Sequence, residues 1–299
     1  MTRRAWIAFA IVGLIWGLPY LLIKVAVEEG VAPAFIAWTR VVVATAVMLP
    51  IAWWTGALRG LRSRLPALTA FAFVEIVVPF PLIAAGEQYV TSSLAAILIA
   101  TVPLLVAMLA LRFDATERVG GARLIGLLVG LGGVITLLGI EVAGRADELL
   151  GAAMILIAAL GYAVGPMIVK RYLADLSPIG PVTGALILSS LLLAPAAVLT
   201  APTATPSPTA ILAIAILGVV CSAVAFVAFF TLIAEAGPSR ASVITYVNPA
   251  VAVVLGVTLL GERIGVSTLI GLLFILAGSW LSTGGRLSTL RSRPVAVDG

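Results

Sequence analysis

The sequence contains no histidine, a single cysteine and only 10% charged residues over its 299 positions. The missing histidine excludes zinc sites with imidazole ligands, histidine-based catalytic triads and histidine proton relays together. The lone cysteine, Cys221, excludes an intrachain disulfide. Soluble domains carry about 25% charged residues, so 10% charge beside 62% hydrophobic content predicts an integral membrane protein. Connections between the apolar runs are short and leave no room for a soluble catalytic domain. No Walker motif is present, so ATP is not expected as the direct energy source. Neither a cofactor nor a metal is expected.

What the chain does have is apolar length. A membrane-crossing helix needs about 20 predominantly apolar residues. Ten stretches qualify: 5–27, 34–54, 66–86, 91–111, 122–140, 150–169, 179–199, 209–232, 239–260 and 264–283. The start, MTRRAWIAFAIVGLIWG, has the basic end and apolar run of a signal peptide. The run is too long, however, and lacks a small-residue cleavage site, so a retained first helix is expected. Positive residues set the orientation. One side receives Arg3, Arg4, Arg59, Arg62, Arg64, Arg112, Arg118, Arg123, Lys170, Arg171, Arg240, Arg286, Arg291 and Arg293, which is 14 of the 18 cationic residues. Glu28, Glu29, Glu87, Glu141, Asp147, Glu148 and Glu262 fall on the other side with Arg145 and Arg263. Both termini are therefore expected in the cytoplasm of a multi-pass plasma (inner) membrane protein. The +5 charge balance is a topology device with the lipid bilayer as its partner, and no nucleic-acid partner is expected.

The chain also repeats itself. WGLPYLLIK (16–24) aligns with YAVGPMIVK (162–170) at an offset of 146 residues. The same offset pairs Pro103 with Pro249, Ser93 with Ser239, Phe80 with Phe226 and Ala95 with Ala241. After a one-residue slip, Glu117-Arg118 pairs with Glu262-Arg263, Gly126 with Gly271 and Gly133 with Gly278. These pairings divide the chain into repeats at 1–144 and 145–284 and a cytoplasmic tail at 285–299. Five helices per repeat is an odd number, so the second repeat must enter the membrane upside down relative to the first. Lys24 then ends its helix outside and Lys170 ends its helix inside. Inverted repeats are a recurrent plan of secondary transporters, because two mirror-related halves can exchange outward-open and inward-open states.

The residues reach a family at this point. The 5+5 layout, the WG…K motif, SSLAAILIATVPLLVAMLA, SRASVITYVNPAVAVVLG and the GER after helix 9 resemble the drug/metabolite transporter superfamily, specifically its EamA-type members, over roughly residues 5–283. Within that group the chain resembles the YddG-type exporters. That resemblance implies an all-α polytopic protein of ten helices in two inverted repeats around a central cavity. It also implies export of aromatic and other neutral amino acids or related metabolites by a monomer or homodimer. Small multidrug members of the superfamily keep a proton-exchange glutamate in helix 1. None is present here, so that antiport mechanism does not carry over.

Interior prolines point independently to the transport path, because a carbonyl freed inside a membrane must find protein or water. They occur at Pro19, Pro79, Pro81, Pro103, Pro166 and Pro249, in helices 1, 3, 4, 6 and 9. Repeat symmetry adds helix 8, which carries Ser222 in place of proline. Helix 5, with Gly126, Gly130 and Gly133 on one face, and its repeat partner helix 10, which keeps Gly271 and Gly278, read as scaffold or as an interface for a second subunit.

Helical spacing places Trp16, Tyr20 and Ile23 on one face of helix 1, and Tyr162, Pro166 and Val169 on the matching face of helix 6. With Thr101, Ser222, Phe226, Tyr246 and Asn248 these form an expected substrate site. A mostly apolar cavity with a few hydrogen-bonding groups suits a neutral or zwitterionic organic molecule. Glu75 lies near mid-depth in FAFVEIVVPFP, one turn before Pro79, and suits either proton coupling or recognition of a substrate ammonium. Arg40, about 9 Å into helix 2 at 1.5 Å per residue, is expected to snorkel outward or pair with Glu87. Trp53 and Trp54 read as interfacial belt residues. An aromatic side chain burying 150–250 Å² gains at most about 4–6 kcal/mol, and association consumes much of that. The expected affinity is therefore weak, on the order of millimolar. A broad drug exporter is the alternative within the class. An intramembrane enzyme would need a nucleophile with its base, and a channel a wet, polar-lined pore.

Overall fold

The computed structural model describes residues 2–113, 121–139, 145–236 and 243–282. Every regular element among them is helical. Calls that rest on Glu117, Arg118, Glu141, Ser239, Arg240, Ala241 and the tail lie outside the described residues, as do the side chains of Arg112 and Arg123. The α-helices run, in order, α1 Arg3–Ile15, α2 Leu18–Glu28, α3 Pro33–Trp54, α4 Leu65–Ala72, α5 Pro79–Gly86, α6 Ser92–Ile99 and α7 Val102–Phe113. They continue with α8 Gly121–Leu137, α9 Ala146–Ile168, α10 Ile179–Leu199, α11 Pro208–Gly218, α12 Ala225–Ala236, α13 Ile244–Leu259 and α14 Val266–Ser282. Joined end to end, these give seven helical spans long and apolar enough to cross a membrane. Three shorter apolar helices, Leu124–Leu137, Ile244–Leu259 and Val266–Ser282, lie where the fifth, ninth and tenth are expected.

Local chemistry explains the helix starts. Thr2, Thr91 and Ser207 are N-caps whose hydroxyls accept from Ala5, Leu94 and Ala210 N–H. Pro33 and Pro208 occupy first-turn positions, where the missing N–H costs nothing. The same rule relocates the expected proline kinks. Pro19 does not interrupt a helix but sits in the first turn of α2, after a break at Trp16–Gly17. Pro79 likewise opens α5, and Pro103 sits in the first turn of α7 after a break at Ala100–Thr101. Pro166 and Pro249, their counterparts in the second half, lie inside the continuous helices α9 and α13.

Two interruptions obey the 146-residue offset closely. A π-helical segment, Phe73–Val77, separates α4 from α5, and another, Val219–Val224, separates α11 from α12. The wider turn re-aims side chains and releases carbonyls; Ser222 Oγ donates to Leu217 O, five residues back, at 2.9 Å.

Packing between the halves is reciprocal. α1 packs on α12 while α5 packs on α9, α3 and α8 each pack on their own counterparts, α10 and α14, and α6 packs on α13. The α8–α14 seam has almost no side chains. A Cβ on Gly126 would strike Leu281, Ser282 and the Gly278 carbonyl, and one on Gly133 would meet Gly271 O at 2.8 Å. Since Gly126 lies against the end of α14 and Gly133 against its beginning, the two helices run antiparallel. This glycine face is spent on packing within the chain. The opposite face of α8 presents exposed Leu124, Ile125, Leu128, Leu131 and Ile135, as a lipid-facing surface does. Trp53 and Trp54 are 74% and 83% exposed at the end of α3, in keeping with a belt position.

Gly278→Ala puts a methyl group against the Gly130 backbone and is expected to cost about 1–3 kcal/mol. Gly132→Ala, which meets open space, is expected to leave stability unchanged or slightly raised. Thermal unfolding of the two variants in one detergent checks the contrast.

Candidate functional site

The breaks and π-helical segments turn polar and aromatic side chains toward the meeting of α2, α3, α5, α9 and the α11–α12 junction. Trp16 lies edge-on to Phe226, with centroids 6.1 Å apart, and tilts against Phe229 at 4.8 Å. Phe230 stacks on Phe226 at 6.3 Å, completing an aromatic wall between the first and eighth predicted helices. Tyr20 and Tyr162 pack into one apolar cluster with Cys221. Tyr162 also packs with Phe226 against the cluster that contains Phe80. Neither tyrosine hydroxyl has a hydrogen-bond partner among the described residues. Pro79 is buried behind them, Pro166 is exposed, and Tyr246 is half-buried at the start of α13.

Two of the expected site residues are committed elsewhere. Thr101 is 3% exposed and donates to Leu98 O at 2.6 Å, sealing the α6–α7 break. Asn248, with its amide nitrogen on the side facing two carbonyls, donates to Ile244 O at 3.1 Å and Gly13 O at 3.3 Å. The second bond answers the first break. Gly17 N–H turns to Leu14 O at 3.1 Å instead of Gly13 O, and Asn248 takes up the carbonyl thus freed. It staples α13 to α1.

Glu75 stands at the centre of the first π-helical segment. Its carboxylate lies against Gly165 of α9, where a Cβ would collide with it, and its buried Oε2 has no partner among the described residues. Gly165 is three residues beyond Tyr162, so Glu75 meets α9 one turn from that ring.

Arg40 is the group the sequence placed wrongly. It neither snorkels nor forms an ion pair with Glu87. It is 8% exposed, donates from Nε to Ser222 Oγ at 3.0 Å, and stacks its guanidinium over the Phe80 ring at 4.1 Å. The hint lay in its depth alone, since its two partners stand 40 and 182 residues away.

Around Lys24, at the end of α2, the polar groups interlock. Lys24 Nζ donates to Glu87 O at 2.8 Å and Val90 O at 3.1 Å, with Glu28 3.7 Å away. This ties the end of α2 to the α5–α6 turn. Glu262, from the GER stretch, accepts from Ser92 N at 2.7 Å and Ser93 N at 3.1 Å and from the Ser93 hydroxyl. A carboxylate thereby caps α6, satisfying orphan amides and the positive helix end together. Beside these groups lies a cavity of about 250 Å³, lined by Lys24, Tyr89, Thr91, Ser93, Arg145, Glu148, Arg263 and Thr268. None of the sequence-predicted site residues lines it. Lys170, the counterpart of Lys24, is exposed and has no partner among the described residues.

Apolar spans around a set of buried polar and aromatic groups are the features of a polytopic membrane protein, and its relatives give its class. Residues 3–139 and 149–284 match the EamA-like transporter family, and the chain belongs to that family, within the drug/metabolite transporter superfamily. It is 31% identical over 257 residues to YedA of Escherichia coli K12, named as an uncharacterized inner membrane transporter, covering 84% of this chain and 81% of that one. An uncharacterized transporter of Archaeoglobus fulgidus is 24% identical over 281 residues, covering 93% and 98%. A solved crystal structure shares the fold at TM-score 0.66 and 20% identity, covering 93% of this chain and 96% of that one. The protein is a multi-pass inner membrane transporter.

The packing of the α5–α6 turn around Glu87 is expected to respond to pH. Glu87 lies one residue past α5 and is 0% exposed, with both carboxylate oxygens unpartnered among the described residues. Burial pushes its carboxyl well above the usual range; Lys24 and Arg40 oppose the rise, whereas Glu262 and Glu28 add to it. The closed form thus holds a proton that an opened, hydrated Glu87, with a pKa near the ordinary value of about 4.3, releases. Closure is favoured at low pH and weakens as pH rises through the elevated pKa. Maleimide labelling of Val90→Cys, in a Cys221→Ala background, is expected to rise with pH. Glu87→Gln is expected to remove the part of the rise that exceeds the reagent's own pH dependence.

Proposed function

We propose that the protein exports aromatic and other neutral amino acids, or related small metabolites, by alternating access. In this reading ten membrane helices form two inverted repeats around a central cavity, with both termini cytoplasmic and no cofactor. A complete candidate site lies within one chain, so a monomer suffices. The carrying observation is the unequal state of two equivalent lysines. Lys24 is bonded across its end, whereas Lys170, its twin at offset 146, stands exposed and without a partner among the described residues. Inverted repeats exchange conformations as a carrier turns over, so the outer closure made and the inner one unmade correspond to an inward-facing carrier. Three further features support the inversion: the reciprocal packing of the halves, the antiparallel glycine seam and the paired π-helical segments.

The aromatic wall of Trp16, Phe226, Phe229 and Phe230 supports an aromatic or otherwise apolar cargo, and the unpartnered Glu75 supports a cationic group on it. Proteoliposomes are the direct test: uptake of a labelled aromatic amino acid, competed by a metabolite panel, with and without a pH gradient. Saturable uptake at millimolar substrate, competed by neutral amino acids, is expected. Competition by unrelated apolar compounds alone moves the assignment to a broad exporter, and unitary currents in planar bilayers move it to a channel. Glu75→Gln is expected to lower the flux or flatten its pH dependence while the protein stays folded.

The latch has its own check. Lys24→Met removes two bonds from an ammonium, worth about 1.5–3 kcal/mol each at most. It is expected to raise outer-face labelling of Val90→Cys by about tenfold or more. Lys170→Met, which loses no bond in this state, is expected to leave that labelling unchanged.

A further inference from the structure

The buried charge of Arg40 has no ion-pair partner among the described residues. No carboxylate of the described residues lies within 4.0 Å of it, its one hydrogen bond is from Nε to a neutral hydroxyl, and the quadrupole of Phe80 faces only its plane. Guanidinium carries five donors in a flat fork, so four N–H groups on Nη1 and Nη2 remain without a protein partner among the described residues. A cation left this way is costly unless something satisfies it for part of the working cycle. Its fixing is nonetheless good: Ser222 holds the edge and Phe80 holds the face, so the fork is pre-aimed.

The direction of that aim is informative. Ser222 and Cys221 belong to the second π-helical segment, and Cys221 packs with Tyr20 and Tyr162. Tyr162 stands within electrostatic reach of both Arg40 and Glu75. Glu75, whose Oε2 has no partner among the described residues, lies against Gly165, one turn from Tyr162 on α9, and Tyr162 packs in one cluster with Phe226 of the aromatic wall.

We propose that Arg40 is the anchor for a substrate carboxylate, received as a bidentate pair on its Nη edge, and that the site takes carboxylate-bearing molecules. The proposal deepens, and rests on, the reading of the protein as an amino acid exporter. With Glu75 on the ammonium, the two charges would hold a zwitterion across Tyr162 and leave its side chain to the aromatic wall. A planar fork suits a carboxylate better than a point ammonium does, which explains why arginine occupies this place.

The test uses the full chain in lipid nanodiscs and two matched pairs of probes: L-phenylalanine with its carboxamide, and 3-phenylpropionate with its carboxamide. In the unmodified protein each acid is expected to bind about tenfold or more tightly than its amide. Arg40→Gln is expected to equalise both pairs, and Arg40→Lys to keep part of the difference. Equal binding of acid and amide by the unmodified protein overturns the proposal, and that comparison does not depend on either variant folding. Continued discrimination by a folded Arg40→Gln protein overturns it too, as does failure of all four probes to bind. Preference for 3-phenylpropionate through Arg40, without transport of any amino acid, sinks the exporter reading and sustains the carboxylate anchor. Transport of phenylalanine without acid-over-amide preference does the reverse.

Discussion

Everything in this molecule answers to one constraint: hydrocarbon does not solvate a backbone carbonyl or amide. A helix that breaks within the bilayer must find replacement partners inside the protein. Four of the interruptions here have one. The carbonyl freed at Gly13 goes to Asn248, and the opening before α6 is capped by Glu262. The gap between α6 and α7 is closed by the Thr101 hydroxyl, and the wide turn at Val219–Val224 by Ser222. The interruptions consequently face inward, toward neighbouring helices that carry polar atoms, and the outward faces stay apolar. A site built from broken helices follows from this, because only broken helices present unsatisfied groups and only the interior tolerates them.

The same constraint separates what the residues announced from what they concealed. Apolar run length marked the helices, since burial in lipid is a property of each segment by itself. The 146-residue offset, the small faces of α8 and α14 and the paired lysines were equally readable, because each is a local pattern that recurs. The aromatic faces of Trp16 and Tyr162 were readable by helical spacing. Arg40 was not. Its second-helix position looked like a boundary, and the serine that holds it sits on a different repeat. Asn248 and Thr101 were polar and well placed, yet their hydrogen bonds are used locally. A polar residue's spacing does not reveal whether its donors are already engaged. Nor does any residue type mark a π-helical register shift, so the matched pair at Phe73–Val77 and Val219–Val224 emerges only from coordinates.

Charge is distributed by function and by depth. Charges at the helix ends are compensated: Lys24 has carbonyls and Glu28, Arg145 has Glu148, and Glu262 has helix amides. Deeper charges are not, and Arg40 and Glu75 are each supported by neutral groups only. A structure that merely had to fold would gain by neutralising them with one another or replacing them with apolar residues. Their retention, at the place where aromatic rings converge, argues for a ligand that completes what the protein leaves open.

The seam between α8 and α14 has a consequence for origin. Gly126 meets Gly278 and Gly133 meets Gly271, while Gly271 and Gly278 are themselves the sequence counterparts of Gly126 and Gly133. Exchanging the two halves therefore returns the same set of contacts. A surface with that property is complementary to itself, which is what a single five-helix polypeptide would need to associate with an upturned copy of itself. Four glycines supply the contacts that such an association would use.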